Sequence, residues 1–90
     1  MGLYAAFLMT EATIVDLDVR TLTPQEHHST ILAHFDALNL GETLRLINDH
    51  NPRLLHFQLI IERPGMFEWE AERRGPEVWV IRIRKTASEM

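Results

Sequence analysis

The chain of 90 residues contains no cysteine. This absence excludes a disulfide framework, a thiolate metal site and a cysteine nucleophile, and it is compatible with a reducing compartment. Glycine and proline are few, with four residues each, while 46% of the residues are hydrophobic and 24% are charged. This is the composition of an ordinary globular chain, so we expect one domain with a modest core.

Long apolar runs and an excess of positive charge are also missing. The apolar segment LYAAFLM, residues 3–9, has only seven residues, which is too short to span a bilayer. It lacks the positively charged flank of a secretory signal, so we predict a cytoplasmic protein. The formal net charge of −4 argues against attachment to nucleic acid or to an anionic membrane.

The predicted domain spans residues 13–86, with an N-terminal extension at 1–12 and a tail at 87–90. Three interpretations of the extension stay open at the level of sequence. It is part of the domain, a swapped or dimerising segment, or the product of a start codon upstream of Met9.

The first half of the chain predicts a strand followed by a helix. Residues 14–19 are short, β-branched and partly alternating, as in a first strand. The sequence TPQE at 23–26 predicts a helix start, because it combines Thr23 as N-cap, proline at the first position and Glu26 for a capping box. One face of this helix is apolar, and residues 39–41 end it. The apolar face consists of Ile31, Leu32, Phe35 and Leu38.

The second half predicts a strand, a helix and a hairpin. Residues 43–47 alternate as a strand, and Asn51 with Pro52 begins a helix that runs to about Arg63. Apolar and charged residues alternate in 67–72 and again in 79–84, on either side of a turn. The order βαβαββ predicts an α/β (α+β) two-layer sandwich, with a four-stranded mixed sheet and two helices on one face.

The second helix is apolar around most of its circumference, which is more than one sheet face covers. We therefore predict a protein partner or a homodimer through this helix. The N-terminal segment, a second subunit and a partner protein are the three candidates for covering it. The predicted interface residues are Leu55, Leu59, Ile60 and Ile61.

Several motifs carry a resemblance to known families. LDVRTLTPQE at 17–26 and GETL at 41–44 resemble the TusA/SirA-like sulfur-carrier fold. Together with NDHNP at 48–52, ERPGMFEWE at 62–70 and GPEVWVIRI at 75–83, they are closer to a bacterial group, domain-of-unknown-function family 2249. The resemblance covers residues 15–85 and implies a TusA/SirA-like fold.

The chain departs from the sulfur carriers where their helix begins. The carriers have Cys-Pro at that point, whereas this chain has Pro24-Gln25, so there is no thiol for persulfide transfer. The resemblance to family 2249 implies instead a binding or accessory module. Its members occur beside hemerythrin-like and other metal-associated domains, which implies a role near metal, redox or nitrosative-stress proteins.

Polar residues follow the first two predicted strands, and five histidines occur in the chain. If these strands are parallel neighbours, both strand-to-helix loops open at one edge of the sheet. We predict a ligand site there, formed by Glu26, His27, His28, Asn48, Asp49 and His50. The alternative function is metal binding by His28, Asp49 and His50, because Zn²⁺ and Fe²⁺ accept nitrogen and oxygen ligands. Glu26 or His27 would be a supplementary ligand.

Each of these residues also has a purely structural interpretation. His28 suits a buried neutral histidine, Asp49 an Asx-type turn and Asn51 a helix cap, whereas turn chemistry does not require an imidazole at His50. We predict that His34 and His56 lie on helix surfaces and that Trp69 and Trp79 belong to the core. No phosphate loop or nucleophile elbow is present, so we predict a binding protein and not an enzyme.

Overall fold

The structure is a computed structural model that describes residues 13–88. The predicted extension at 1–12 and the last two residues of the predicted tail lie outside the described residues. The predicted order βαβαββ is confirmed. The elements are β1 (Ile14–Asp18), α1 (Pro24–Ala37), β2 (Thr43–Asn48), α2 (Arg53–Glu62), β3 (Phe67–Arg74) and β4 (Trp79–Lys85).

The four strands form one open mixed sheet in the order β1-β2-β4-β3. β1 pairs with β2 in parallel, whereas β4 pairs antiparallel with both β2 and β3. A parallel pair needs a crossover connection, and α1 provides it. The hairpin of β3 and β4 contains a register shift between Ala71 and Arg73.

The hydrophobic core lies between one face of the sheet and both helices, as predicted for a two-layer fold. Leu44 and Leu46 of β2 pair with Ile83 and Ile81 of β4, and all four side chains are buried. The core includes Ile31 and Phe35 from α1 and Leu55 and Leu59 from α2. Both helices therefore cover the same face of the sheet, and the predicted apolar face of α1 is confirmed.

The two ends of α1 are fixed by side chains. At the N-terminus the predicted capping box is present, since Thr23 Oγ1 accepts from the Glu26 amide at 3.3 Å and Glu26 Oε1 accepts from the Thr23 amide at 3.0 Å. At the C-terminus the buried Lys85 Nζ donates to the carbonyls of Asp36 and Leu38, at 2.9 and 2.8 Å. A lysine at this end also complements the helix dipole.

The opposite face of the sheet carries charged side chains that pair across strands. Arg45 of β2 bonds both Asp16 of β1 and Glu72 of β3. The hydrogen bonds from Arg45 lower the pKa of the Glu72 carboxyl. This face is held by exposed ion pairs, whose contribution to stability is small.

The start of α2 differs from the prediction. Pro52 is the N-cap residue in place of Asn51, and the cap has no side-chain hydrogen bond. The predicted end of the helix is confirmed within one residue, because α2 ends at Glu62 and Arg63 is its C-cap. Within residues 13–88 no helix is both long and apolar enough to cross a membrane.

Candidate functional site

The predicted meeting of two loops at one edge of the sheet rests on the parallel pair, and the structure contains that pair. Leu17 is opposite Leu46, and Asp18 is opposite Ile47, so both strands end at the same edge. The loop after β1 leads into α1, and the loop after β2 leads into α2. Residues far apart in the chain, such as His27 and His50, therefore become neighbours at this edge.

Two imidazole rings lie face to face at this edge. The rings of His27 and His50 are nearly parallel, with 7° between their planes and 6.1 Å between their centroids. His50 Nδ1 donates to Asp49 Oδ1 at 2.9 Å. This bond places the hydrogen of a neutral His50 ring on Nδ1 and leaves Nε2 to other partners. It also lowers the pKa of the Asp49 carboxyl, so Asp49 is ionised at neutral pH.

His27 has a buried nitrogen with nothing to bond. Its Nε2 is enclosed by protein and makes no hydrogen bond with any of residues 13–88. Leaving such an atom unpaired costs about 1–3 kcal/mol, because the nitrogen loses its contact with water. Buried polar atoms without a partner are few in native proteins, so each one calls for a physical explanation. This is the most unusual feature of the predicted site.

A cavity of about 380 Å³ opens beside these rings. We call it the imidazole cavity and define it by His27, His50, Ile31, Asn48, Leu54 and Leu55, which line it together with the starts of α1 and α2. Most of its wall is apolar. The imidazole rings are among the polar groups of this lining that can give a ligand a fixed orientation by hydrogen bonding.

Asn48 supports the loop that carries His50. It is buried, with 2% of its surface exposed, and its Oδ1 accepts from the Asp49 amide at 2.8 Å. This bond fixes the direction in which the chain leaves β2. Asn48 therefore belongs to the site as a lining residue that also holds the loop.

His28 is directed to α2 and not to the loop after β2. Its Nδ1 donates to Gln58 Oε1 at 2.7 Å, and its Nε2 lies 3.1 Å from Glu62 Oε2. Both ring nitrogens are therefore occupied by neighbours on α2. The ring of His28 is half-buried and links the two helices.

The predicted metal set is not assembled in this arrangement. Among residues 13–88, no group of three or more histidine, aspartate and glutamate side chains is placed to hold a metal ion. His28 uses both nitrogens on α2, while Asp49 bonds His50. Glu26, predicted as a supplementary ligand, uses one carboxylate oxygen in the capping box of α1. His27 and His50 are the histidines that come together.

The predicted interface on α2 divides into two parts. Leu55 and Leu59 are 8% and 0% exposed and belong to the core, so the prediction that they lie on an accessible interface is wrong. Ile60 and Ile61 are exposed, at 48% and 74%. They form an apolar stripe with two further residues that were not predicted, Leu54 and Phe57, at 71% and 60%.

His56, predicted on the helix surface, is half-buried in the structure. Its ring stacks on Trp69 with 4.0 Å between centroids and 2° between planes. Burial lowers the pKa of His56. The sequence held a signal for this contact, because His56 precedes the core residue Leu59 by three positions and so shares its side of α2.

One comparison with known proteins gives a match. The family model described as uncharacterized conserved protein (DUF2249) matches residues 16–85. No curated protein and no solved structure matches the chain. The predicted membership of family 2249 is thereby confirmed, whereas the grouping with the TusA/SirA-like sulfur carriers stays a prediction.

Proposed function

The chain belongs to the DUF2249 family of uncharacterized conserved proteins, and we propose that it is a binding module for a small molecule held in the imidazole cavity. The observation that carries this proposal is the buried Nε2 of His27, which has no partner within residues 13–88. A ligand that bonds this nitrogen would remove the cost of burying it unpaired. The proposed ligand is largely apolar, with one hydroxyl or carboxyl group.

The wall of the cavity supports this class of ligand. Ile31, Leu54 and Leu55 offer apolar surface, while His27 and His50 are polar residues of the same lining. A hydroxyl group both donates and accepts, so it can bond either tautomer of a histidine. The volume of about 380 Å³ is at the small end of the range for ligand pockets.

The proposal is tested with hexanoate and 1-hexanol, two probes that share an apolar chain and differ in the polar group. The histidine ring signals in proton-carbon correlation spectra report where each probe binds. We expect shifts at His27 and His50 and none at the exposed His34, whose Nδ1 lies 2.9 Å from the Thr30 carbonyl of its own helix. The variant His27→Phe keeps a planar ring but removes Nε2, so it should weaken binding about tenfold, the value of one good hydrogen bond.

His34→Phe is the matched control and should bind the probes as the wild type does. Equal binding by His27→Phe, or equal shifts at all five histidines, would contradict the proposal. Zn²⁺ and Fe²⁺ are tested in parallel by elemental analysis of tag-free protein. Near-stoichiometric metal that is lost in His50→Ala would favour the metal-binding alternative over an organic ligand.

Self-association through α2 is a second candidate function, favoured by the exposed apolar stripe. Leu54, Phe57, Ile60 and Ile61 are separated by one, three or four positions, so they lie along one side of the helix. Exposed apolar surface of this kind often marks a protein interface. In this candidate the partner is a second copy of the chain, or a protein with a matching apolar groove.

Sedimentation velocity over a range of protein concentrations tests this candidate. We expect the wild type to associate and Ile61→Glu to stay monomeric, because burying a glutamate in an apolar contact is costly. Leu40→Glu is the control, since Leu40 is also exposed but lies outside α2. A wild type that is monomeric at every concentration would reject self-association.

An accessory role in the cytoplasm, beside metal, redox or nitrosative-stress proteins, completes the proposal. Its support is the sequence resemblance alone. Both proposed surfaces suit such a role, because one would hold a small molecule and the other would contact a partner.

A further inference from the structure

A second cavity, of about 600 Å³, lies between α2 and the hairpin of β3 and β4. We call it the indole cavity and define it by Trp69, Trp79, His56, Arg53, Arg74 and Glu70. It is on the helix side of the sheet. It touches the imidazole cavity only at the start of α2, where Asn51 and Pro52 line both.

The strand pattern explains why this cavity exists. Trp69 and Ala71 are two positions apart on the edge strand β3, so both lie on the helix side of the sheet. Trp79 and Ile81 lie on the same side of β4 for the same reason. Ala71 is opposite Ile81. Because alanine is small, it leaves a depression between the two large indoles, and the helices do not fill it.

Both indoles are held in place by other parts of the chain. The ring of His56 stacks on Trp69 at 4.0 Å. Trp79 packs on the turn at Gly75, where a Cβ would lie 2.8 Å from Nε1 and Cε2 of the indole. A ligand ring that meets these walls would therefore lose little free energy to ordering the side chains.

The charged groups at this cavity favour an anion. Arg53 and Arg74 line it, and neither guanidinium has a hydrogen bond or ion pair with any of residues 13–88. Arg20, Arg45 and Arg63, by contrast, each bond a carboxylate. Glu70 also lines the cavity, but it alternates with Trp69 and Ala71 along β3, so its side chain belongs to the opposite face of the sheet. His56 adds no charge at neutral pH, because burial lowers its pKa.

The positive charge of this lining is opposite in sign to the net charge of the chain. The chain has a formal net charge of −4, so its surface as a whole repels anions. Planar guanidinium groups bind carboxylate and phosphate through two parallel hydrogen bonds. Aromatic side chains bind planar rings by stacking. The same cavity contains both kinds of group.

We propose that the indole cavity binds a planar aromatic molecule that carries a carboxylate or phosphate group. Its ring lies against Trp79 and the paired rings of His56 and Trp69. Its anionic group is bound by Arg53 and Arg74. The two cavities share only Asn51 and Pro52 in their linings, so binding at the indole cavity can be tested independently of binding at the imidazole cavity.

The two tryptophans of the chain both line this cavity, which provides a direct assay. The indole Nε1–H signals of ¹⁵N-labelled protein are followed during titration with AMP, which has a planar ring and a phosphate. Adenosine lacks the phosphate and ribose 5-phosphate lacks the ring. We expect AMP to shift both signals at millimolar concentration or below, and each fragment to bind about tenfold more weakly. 2-Naphthoate, a planar aromatic carboxylate, should shift the same signals.

Arg74→Gln should weaken AMP binding about fivefold to tenfold, because one charge-assisted contact is lost. Arg73→Gln is the matched control. It removes the same charge from the neighbouring position on β3, outside the cavity lining, and should bind AMP as the wild type does.

Three results would overturn the proposal. One is the absence of any indole shift with both AMP and 2-naphthoate. Another is equal weakening by Arg74→Gln and Arg73→Gln, which would indicate a general charge effect. The third is tighter binding of 1-methylnicotinamide, a planar aromatic cation, which would assign the cavity to cations bound by its aromatic rings.

Discussion

Replacing Gly75 by alanine should disturb the indole cavity through a single methyl group. Gly75 has a φ of +69° at the turn between β3 and β4. Its added Cβ would lie 2.8 Å from two atoms of the Trp79 indole and 3.0 Å from a third. Because carbon atoms in contact are normally about 3.5–4.0 Å apart, the indole must move.

Comparison with Gly65→Ala isolates the free-energy cost of the contact between the added methyl group and Trp79. Gly65 has nearly the same φ, +73°, but an added Cβ there meets nothing within 4 Å. Gly65→Ala therefore costs only the left-handed backbone strain, about 1–2 kcal/mol, less the gain from a stiffer unfolded chain. Gly75→Ala carries the same two contributions and adds the cost of overpacking, about 1–3 kcal/mol. The difference between the variants measures the contact with Trp79.

Urea unfolding followed by far-ultraviolet circular dichroism gives the free energy of unfolding of both variants. We expect Gly75→Ala to be the less stable by about 1–3 kcal/mol. Its Trp79 Nε1–H signal should move, while that of Trp69 should stay in place. Equal stability of the two variants with an unmoved Trp79 signal would refute the reasoning, since it would mean that the indole does not pack on Gly75.

Three further predictions concern other contacts. Thr23→Ala should lower the free energy of unfolding by about 1 kcal/mol, because it removes the capping box of α1. Asn51→Ala should change the free energy of unfolding by less than about 0.5 kcal/mol, because α2 has no side-chain cap. Urea unfolding of both variants measures the difference. Lys85→Met should cost about 2–4 kcal/mol in the same assay, because two carbonyls at the end of α1 lose a charged donor. Burial lowers the pKa of His56 in the folded state from its ordinary 6.5, so the unfolded chain binds the proton more readily. The stability that neutral His56 contributes should be fully present above pH 6.5 and should be lost as the pH falls toward the folded-state pKa. His56→Phe should lack this loss when the free energy of unfolding is measured from pH 7 to about pH 5.

The fold was readable from the sequence because its signals are local and repeat at fixed spacings. The capping box at Thr23 placed the start of α1 correctly, and alternation placed the hairpin of β3 and β4. The helix end near Arg63 was also correct within a residue. Each of these features depends on neighbours in the chain, so periodicity and cap chemistry determine it.

The candidate site was only partly predictable, because its contacts join residues that are far apart in the chain. The sequence indicated that two histidine-bearing loops meet, but it could not give the direction of each ring. His28 lies one residue from His27, yet the 100° step of a helix turns it to α2 and to Gln58. The indole cavity went unpredicted because it depends on the pairing of Ala71 with Ile81 and on which strands the helices leave uncovered.

The failed prediction at Asn51 has a structural meaning of its own. A helix that begins after an asparagine normally uses that side chain to bond its first amides, but α2 begins at Arg53 without such a bond. This is also the segment where the two cavities meet, since Asn51 and Pro52 line both. A cap side chain would occupy the end of the helix that faces these spaces. Predictions from local sequence, such as a helix cap, are expected to fail where a segment is shaped for binding a ligand and not for stabilising the fold. The start of α2 combines such a failed prediction with two adjoining cavities.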